Sequence, residues 1–290
     1  MLGVLGHAAI DLIIRGGKKS KFPGGPPTYC SFYLSQVGIE VIPISVVGND
    51  FEIYINDYMN RGVDVSGIVI DSACKTTSYE ITYMDNGRRR LRLLSRCRDI
   101  TIGDIKSLPR TTVINPIARE VKPELLMYVR DNADFLGIDV QGFTRDFDGD
   151  GFVISRATTR DLAPLVGIAD VIKVSVDDLS HLGMEDLLRF RGKFIVVSRG
   201  PGGSILIHDG VAYDLRVDGL VSAVDPTGAG DVLTCSLTYL LSRGEDPLWS
   251  FAYANALSLL KTLGEGPYGV VDREMLDRLV DTLLSRIKLT

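Results

Sequence analysis

The chain has 290 residues, of which 45% are hydrophobic and 24% charged, and its formal net charge is −5. These values are typical of a globular protein with one large core, and the acidic balance argues against a general nucleic-acid-binding protein. No apolar run approaches the ~20 residues of a membrane span, and the apolar N-terminus lacks the basic start of a signal peptide. We therefore expect neither nucleic acid nor a membrane as a partner.

The four cysteines, Cys30, Cys74, Cys97 and Cys235, are scattered along the sequence. Their spacing matches neither a metal-ligand motif nor a disulfide framework. The simplest interpretation is a protein of a reducing, cytoplasmic compartment without disulfides.

Short β-branched apolar runs alternate with segments of helical spacing along most of the chain. Near-continuous apolarity is typical of parallel strands that are covered by helices on both faces. Six runs have this character: 3–14, 40–48, 111–118, 134–143, 169–176 and 193–200. Helix-spaced segments at 27–38 and 232–244 end at Gly38 and Gly244, which suit C-cap positions. The pattern predicts one α/β domain over residues 1–290 with a mostly parallel sheet.

Residues 76–96, "TTSYEITYMDNGRRRLRLLSR", interrupt this alternation with two strand-like runs around Asp85-Asn86-Gly87. A three-residue turn over these positions would place Tyr79, Ile81 and Tyr83 on one face with Leu91 and Leu93, whereas a two-residue turn would place arginines there. The hydrophobic pattern favours the three-residue turn and a half-buried hairpin. Such a hairpin suits a flap over a cleft or an interface between subunits, and an ordinary edge hairpin with solvated arginines is an equal alternative.

The segment "VDPTGAGDVLTC", residues 224–235, places small residues at the start of an apolar helix. Gly228, Ala229 and Gly230 can turn several backbone N–H groups towards one point, where the helix dipole favours an anion such as a phosphate. Asp231 follows in the first helical turn, where it can accept a proton from an attacking hydroxyl. The alternative is a helix start at which an aspartate only complements the dipole.

"DPTGAGD" resembles the C-terminal signature of the ribokinase, or PfkB, family of carbohydrate kinases. "GHAAID", "GGPPTYCSFYLSQVG", "VIKVSVDDL" and "VVSRGPGGSIL" follow that family's motif order. The resemblance implies an ATP- and Mg²⁺-dependent kinase with a ribokinase-like three-layer α/β sandwich and a small β-sheet lid, here near 12–22 and 74–98. A homodimer through this lid is a further expectation.

The resemblance also implies roles for individual residues. Asp231 is expected to be the general base, and Gly228, Ala229 and Gly230 are expected to form the anion hole. Nucleotide contacts are expected from Lys173, Ser198, Gly200, Gly202, Thr227 and Asn255, although "RGPGG" at 199–203 is equally a plain tight turn. Two positions depart from the family: Tyr29 replaces an Asn that would bind sugar hydroxyls, and Ser175-x-x-Asp178 replaces Asn-x-x-Glu. The shorter Asp178 is expected to act on a metal through water.

Three stretches, "TYMDNGRRRLRLLSR", "NPIAREV" and "DVQGFTR", resemble the archaeal myo-inositol kinases of this family. Myo-inositol is a neutral ring of hydroxyls, so its pocket needs hydrogen-bonding groups around a rim. The expected substrate-binding residues are Asp11, Gly24, Gly25, Gln141 and Arg145. Gln141 has the alternative of satisfying loop backbone, and Arg145 that of pairing with Asp146 or Asp148 at the surface.

Two other functions stay open at this point. One is a sugar or nucleoside kinase with the same catalytic centre and a different pocket. The other is a catalytically silent sugar-sensing protein of the same fold, although a sensor has no use for the base Asp231.

Overall fold

A large sheet and a small sheet form the framework of the computed structural model, which describes residues 1–84, 89–155, 159–176 and 184–290. The strands are β1 (Leu2–Leu5), β2 (Ala9–Arg15), β3 (Lys18–Gly24), β4 (Val41–Val47), β5 (Ile68–Ile70), β6 (Ser78–Tyr83), β7 (Arg89–Ser95), β8 (Thr111–Ile114), β9 (Phe135–Asp139), β10 (Arg145–Phe147), β11 (Val153–Ser155), β12 (Val171–Ser175), β13 (Phe194–Ser198), β14 (Ser204–His208), β15 (Val211–Leu215) and β16 (Lys288–Leu289).

The large sheet has ten strands in the order β16-β15-β14-β13-β12-β9-β8-β1-β4-β5. The seven strands from β13 to β5 run parallel, and β14, β15 and β16 continue the sheet antiparallel. The predicted mostly parallel sheet is therefore confirmed. Because the parallel strands point the same way, the ends of β8, β9 and β12 meet at one edge, where open α/β sheets bind ligands.

Helices cover both faces of this sheet, as the apolar character of its strands requires. They are α1 (Pro26–Leu34), α2 (Glu52–Met59), α3 (Pro123–Asn132), α4 (Gln141–Thr144), α5 (Thr159–Ile168), α6 (Met184–Leu187), α7 (Ala229–Ser242), α8 (Pro247–Thr262) and α9 (Arg273–Arg286). One buried cluster packs α1, α7, α8 and α9 on one face, and a second packs α3 and α5 on the other. Helix, sheet and helix thus form three layers. Among the described helices, none is long and apolar enough to cross a bilayer.

The small sheet has four strands in the order β3-β2-β6-β7. Its register pairs Tyr79 with Leu93, Ile81 with Leu91, and Glu80 with Arg92. The register derived from the hydrophobic pattern is therefore confirmed, while the turn at 85–87 lies outside the described residues. Tyr79 and Ile81 pack with Ile117 and Ala118 of the same chain, so this apolar face is directed at the main domain.

The run 3–14 is not one strand, contrary to the prediction. It divides into β1 of the large sheet and β2 of the small sheet. At the break, the His7 N–H donates to Glu120 Oε1 (2.8 Å) and the Ala8 N–H donates to Ser45 Oγ (2.7 Å). These buried side chains satisfy backbone groups that the sheets leave unpaired.

The prediction that the chain has no disulfide was wrong. Cys74 and Cys97 are joined, with their Cα atoms 5.2 Å apart, while Cys30 and Cys235 are free and buried. Cys74 precedes β6 and Cys97 follows β7, so the bond closes the base of the hairpin. A separation of 23 residues has no motif of its own, which is why the spacing did not indicate it. The cysteines therefore no longer argue for a reducing compartment.

Candidate active site

A pocket opens between the small sheet and the carboxyl edge of the large sheet. Its lining residues come from both sheets and from the start of α7. They are Asp11, Gly25, Tyr29, Tyr79, Ile81, Arg89, Leu91, Ile117, Gln141, Arg145, Thr227, Gly228 and Asp231. The pocket thus contains the expected base and all expected substrate-binding residues except Gly24, which lies directly beside it.

Asp231 lies in the first turn of α7 and is buried. Its Oδ1 accepts hydrogen bonds from Asn115 Nδ2 (3.0 Å) and Gln141 Nε2 (2.9 Å). Burial and the nearby Asp139 carboxylate raise the pKa of Asp231 to about 6, although Lys173, Asn115 and Arg145 oppose the shift. A carboxylate with this pKa is mostly ionised at pH 7 and is a better proton acceptor than an ordinary aspartate.

The start of α7 has the form that an anion hole needs. Gly228 is the N-cap residue, with φ 82°, and a Cβ at this position would collide with the ring of Tyr29. Only glycine fits both constraints. Among the described residues, no oxygen accepts the backbone N–H of Gly228 or Gly230, whereas the Ala229 N–H donates to the Pro226 carbonyl (3.2 Å). Two N–H groups at a helix start thus adjoin the pocket that contains Asp231.

A buried ion pair lies beside this helix start. Lys173 Nζ is 3.0 Å from Asp139 Oδ2, and both residues are almost completely buried. A Cβ at Gly230 would lie 3.1 Å from the same Nζ, so the ammonium is close to the anion hole. Lys173 therefore lies where positive charge would stabilise a phosphate, as its expected nucleotide contact requires.

The opposite wall of the pocket holds Asp11, which is buried in β2. Tyr29 Oη donates to its Oδ2 (3.1 Å), and Gly24 leaves the space that this carboxylate occupies. Burial raises the pKa of Asp11 to about 7, although the Tyr29 hydrogen bond opposes the shift. Tyr29 thus orients Asp11.

Gln141 and Arg145 follow β9 on α4 and at its end. Gln141 Nε2 donates to Asn115 Oδ1 (2.8 Å) as well as to Asp231, and its Oε1 accepts from Arg145 Nη2 (2.7 Å). Both residues therefore face the pocket. Among the described residues, Arg145 forms neither of its alternative ion pairs: Asp146 pairs with Arg119 (3.4 Å), and Asp148 Oδ1 accepts from the N–H groups of Asp150 and Phe152.

The expected nucleotide contacts are only partly brought together. Thr227 lines the pocket, and its Oγ1 is 2.7 Å from Tyr83 Oη of the hairpin. Ser198 ends β13, and Gly200–Gly202 forms a short 3-10 turn before β14. Asn255 is buried in α8, where its Oδ1 accepts from Ser204 Oγ (2.7 Å) and its Nδ2 donates to the Phe251 carbonyl (2.8 Å). Its nucleotide role stays a prediction without a contact to the pocket.

A metal site is not defined by the described residues. Within the described ranges, no group of three or more His, Cys, Asp or Glu side chains could hold a metal ion. Asp178, the expected metal residue, lies outside those ranges. Mg²⁺ is commonly held by one or two carboxylates together with substrate phosphates, so the protein's share of such a site is a prediction for Asp178 alone.

Three residues at or beside the pocket were not predicted from the sequence: Asn115, Asp139 and Tyr83. Asn115 directly follows β8 and Asp139 ends β9, so polar residues at the carboxyl ends of buried strands were an available signal. Tyr83 was assigned to the hairpin face, but its contact with residues 225–227 depends on the tertiary fold.

Comparisons with known proteins agree with this geometry. The family pattern of pfkB family carbohydrate kinases matches residues 153–272. The chain is 25% identical over 298 residues to a candidate sugar kinase of Pyrococcus horikoshii, with 95% of this chain and 94% of that protein covered. It is 25% identical over 276 residues to inositol 3-kinase of Zea mays, with coverage of 88% and 69%.

The fold is also that of a solved pyrophosphate-dependent kinase in the ribokinase family, complexed with a pyrophosphate analog and myo-inositol. The TM-score is 0.77 at 22% identity, and the match covers 96% of this chain and 100% of that one. The solved structure shows the fold, and the family match and the named relatives identify a phosphotransferase that acts on a hydroxyl group. The chain is thus similar to the pfkB family carbohydrate kinases, has a ribokinase-like fold, and is a kinase of the sugar or polyol type.

Proposed function

We propose that this kinase transfers the γ-phosphate of ATP to a hydroxyl of a small neutral polyol, and that myo-inositol is its preferred substrate. One observation carries the proposal: a buried carboxylate with a raised pKa lies in the same pocket as a helix start at which the N–H groups of Gly228 and Gly230 have no acceptor among the described residues. This pair supplies a proton acceptor and an anion-binding site, the two requirements of phosphoryl transfer to an alcohol.

In the proposed mechanism, ionised Asp231 accepts the proton of one substrate hydroxyl. The hydroxyl oxygen then attacks the transferred phosphorus while the bond to the leaving oxygen breaks. The N–H groups of Gly228 and Gly230 and the ammonium of Lys173 stabilise charge on the transferred group. Mg²⁺, when bound with the nucleotide, supplies further neutralisation of phosphate charge.

The pocket suits a ring that carries hydroxyls at its rim and C–H groups on its faces. Ile81, Leu91 and Ile117 provide apolar walls. The polar groups Asp11, Gln141 and Arg145 lie around them and can accept from or donate to hydroxyls. The relative named inositol 3-kinase and the neighbour bound to myo-inositol support this substrate over other polyols.

The small sheet acts as a lid in this proposal. Residues of β2, β6 and β7 form one wall of the pocket, so separation of this sheet from the main domain would open the site and its return would exclude water. The apolar face of the hairpin packs on Ile117 and Ala118 of the same chain. This contact supports a hairpin that covers the pocket more than one that forms an interface between subunits. A homodimer through the lid stays a prediction.

The experiment is a panel of acceptors, namely myo-inositol, fructose, ribose and nucleosides, each with ATP or pyrophosphate as donor. Phosphorylated product is followed by ³¹P NMR. We expect the highest kcat/KM for myo-inositol with ATP. A preference for ribose, a hexose or a nucleoside would refute the substrate while leaving the kinase intact, and a preference for pyrophosphate would refute the donor. Failure to phosphorylate any acceptor would favour the silent sensor.

Two alanine variants then test the substrate contacts. A hydrogen bond between neutral groups contributes about 0.5–1.5 kcal/mol and one to a charged group about 1.5–3 kcal/mol. Arg145→Ala should therefore lower kcat/KM for myo-inositol more than Gln141→Ala does. Arg110→Ala is the matched control, because the exposed Arg110 side chain pairs with Asp134, away from the pocket. Parent-like kinetics in both pocket variants would contradict the assigned contacts.

A further inference from the structure

A lysine is fully buried next to the anion hole. Lys261 lies in the last turn of α8 with no exposed surface. Its Nζ donates to the backbone carbonyl of Asp225 (2.8 Å) and to that of Gly264 (3.5 Å), and it is 3.9 Å from Asp225 Oδ2. It also lies over the ring of Tyr29, 5.3 Å from the centroid. Burial of a charge is costly unless partners compensate it. These partners therefore hold the ammonium at one position.

Asp225 connects the ammonium to the anion hole. Its Oδ1 accepts from the Thr227 N–H (3.0 Å) and from Tyr83 Oη (2.7 Å), while its Oδ2 accepts from the Gly266 N–H (2.9 Å). Burial alone would raise the pKa of this carboxyl, but Lys261 and these donors hold it below its ordinary value. Asp225 is therefore an ionised carboxylate that fixes the turn leading into Gly228.

The backbone makes the same connection. The N–H groups of Val224 and Asp225 both donate to the Thr262 carbonyl (2.7 and 2.9 Å). The segment that enters the anion hole, 224–227, is thus joined to the chain that leaves α8, 262–266. Lys261 Nζ lies between these two segments and bonds to a carbonyl of each.

We propose that the Lys261 ammonium is a built-in cation that holds Asp225, and through it the turn Thr227–Gly230, in the geometry that receives the transferred phosphate. The oxygens around Nζ are two carbonyls and a carboxylate, and backbone carbonyls are also ligands of monovalent cations. A covalently attached ammonium makes a bound cation at this junction unnecessary. Lys261 is a positioning residue, because it acts through Asp225, and its role rests on the proposed function of the anion hole.

The experiment combines removal of the side chain with chemical rescue. Lys261→Ala removes three methylenes and the ammonium, the shape of n-propylammonium. Lys261→Met removes the charge but keeps most of the chain volume. For each variant and the parent, kcat and KM are measured at one ionic strength with tetramethylammonium, potassium, ammonium or n-propylammonium as the cation. Lys122→Ala, at a half-exposed ion pair with Asp99, is the matched control.

We expect the parent and Lys122→Ala to have the same kcat, within about twofold, in every cation, because their built-in ammonium is in place. In tetramethylammonium, kcat should fall at least about tenfold in both Lys261 variants. Ammonium or n-propylammonium should restore most of the loss in Lys261→Ala and little in Lys261→Met, since the methionine fills the space. A purely structural role would not give this dependence on the size of the cation.

Three outcomes would overturn the proposal. One is parent-like kcat of a Lys261 variant in tetramethylammonium. Another is a folded Lys261→Ala, with parent-like circular dichroism, that no small cation restores. The third is a severalfold rise in the kcat of the parent when potassium or ammonium replaces tetramethylammonium. This measurement needs no variant, so it tests the proposal even if the variants do not fold. A parent inactive towards every acceptor would instead refute the proposed function itself.

Discussion

Replacement of Asn115 by leucine should move the pH dependence of the reaction without removing the base. Asn115 is fully buried, and its Nδ2 donates to Asp231 Oδ1 at 3.0 Å. This hydrogen bond is one of the contacts that lower the pKa of Asp231 towards its ordinary value, against burial and Asp139, which raise it. Leucine has a similar shape but no hydrogen-bond donor. The substitution therefore keeps Asp231 buried and removes one of the contacts that lower its pKa.

The size of the effect follows from the bond that is lost. A hydrogen bond to a charged group contributes about 1.5–3 kcal/mol, and each pKa unit corresponds to about 1.4 kcal/mol. The pKa of Asp231, now about 6, should therefore rise by about one to two units. Asp231 must be ionised to accept a proton, so activity is lost as the pH falls through this pKa. The variant should lose activity at a higher pH than the parent does.

The assay is kcat/KM as a function of pH, which reports ionisations of the free enzyme. In Asn115→Leu the acidic limb should move upwards, and much of the activity lost at pH 7 should return at pH 9. Thr112→Val is the matched control, because Thr112 is equally buried on β8, the strand that Asn115 follows, but its hydroxyl donates to the Pro109 carbonyl (2.8 Å). The reasoning would be refuted if the acidic limb of the kcat/KM profile of Asn115→Leu stayed where it is in the parent. An equal loss of activity at every pH would refute it as well.

Two further predictions test the base and the hairpin. Asp231→Asn keeps the shape of the side chain and cannot accept the proton, so kcat at saturating substrate should fall roughly 10²–10⁴-fold while donor affinity, measured by calorimetry, is kept; a parent-like kcat would refute the assignment. Reduction of the Cys74–Cys97 bond should lower the free energy of unfolding by roughly 3 kcal/mol, because a closed loop of this length constrains the unfolded chain. Denaturant unfolding of the parent with and without reductant measures this loss of stability. Cys74→Ser is the control, since its unfolding should not respond to reductant. Identical unfolding midpoints of the parent in both conditions would contradict the prediction.

Local patterns in the sequence were sufficient to predict the sheet, the hairpin register and the helix start. Each depends on residues close together in the chain: apolar runs, the alternation around residues 79–93, and the glycines before Asp231. The break between β1 and β2 could not be predicted in this way. The run 3–14 is apolar on both sides of the break, and the groups that stabilise it, Glu120 and Ser45, come from distant segments.

The same distinction applies to the active site. Asp231 was predicted because its motif is continuous in sequence. Asn115 and Asp139 were missed because their importance depends on β8 and β9 lying side by side in the sheet. Each was visible as a polar residue at the end of an apolar run, but the strand order that brings both towards α7 is a tertiary property.

Tyr29 connects the two halves of the candidate site. Its hydroxyl donates to Asp11 on the substrate side, its ring fills the space beside Gly228 at the anion hole, and the ammonium of Lys261 lies over the same ring. A smaller amide side chain could not make all three contacts. Tyr29 therefore links the orientation of Asp11 to the position of the helix start at Gly228. We expect a substitution of Tyr29 to affect both.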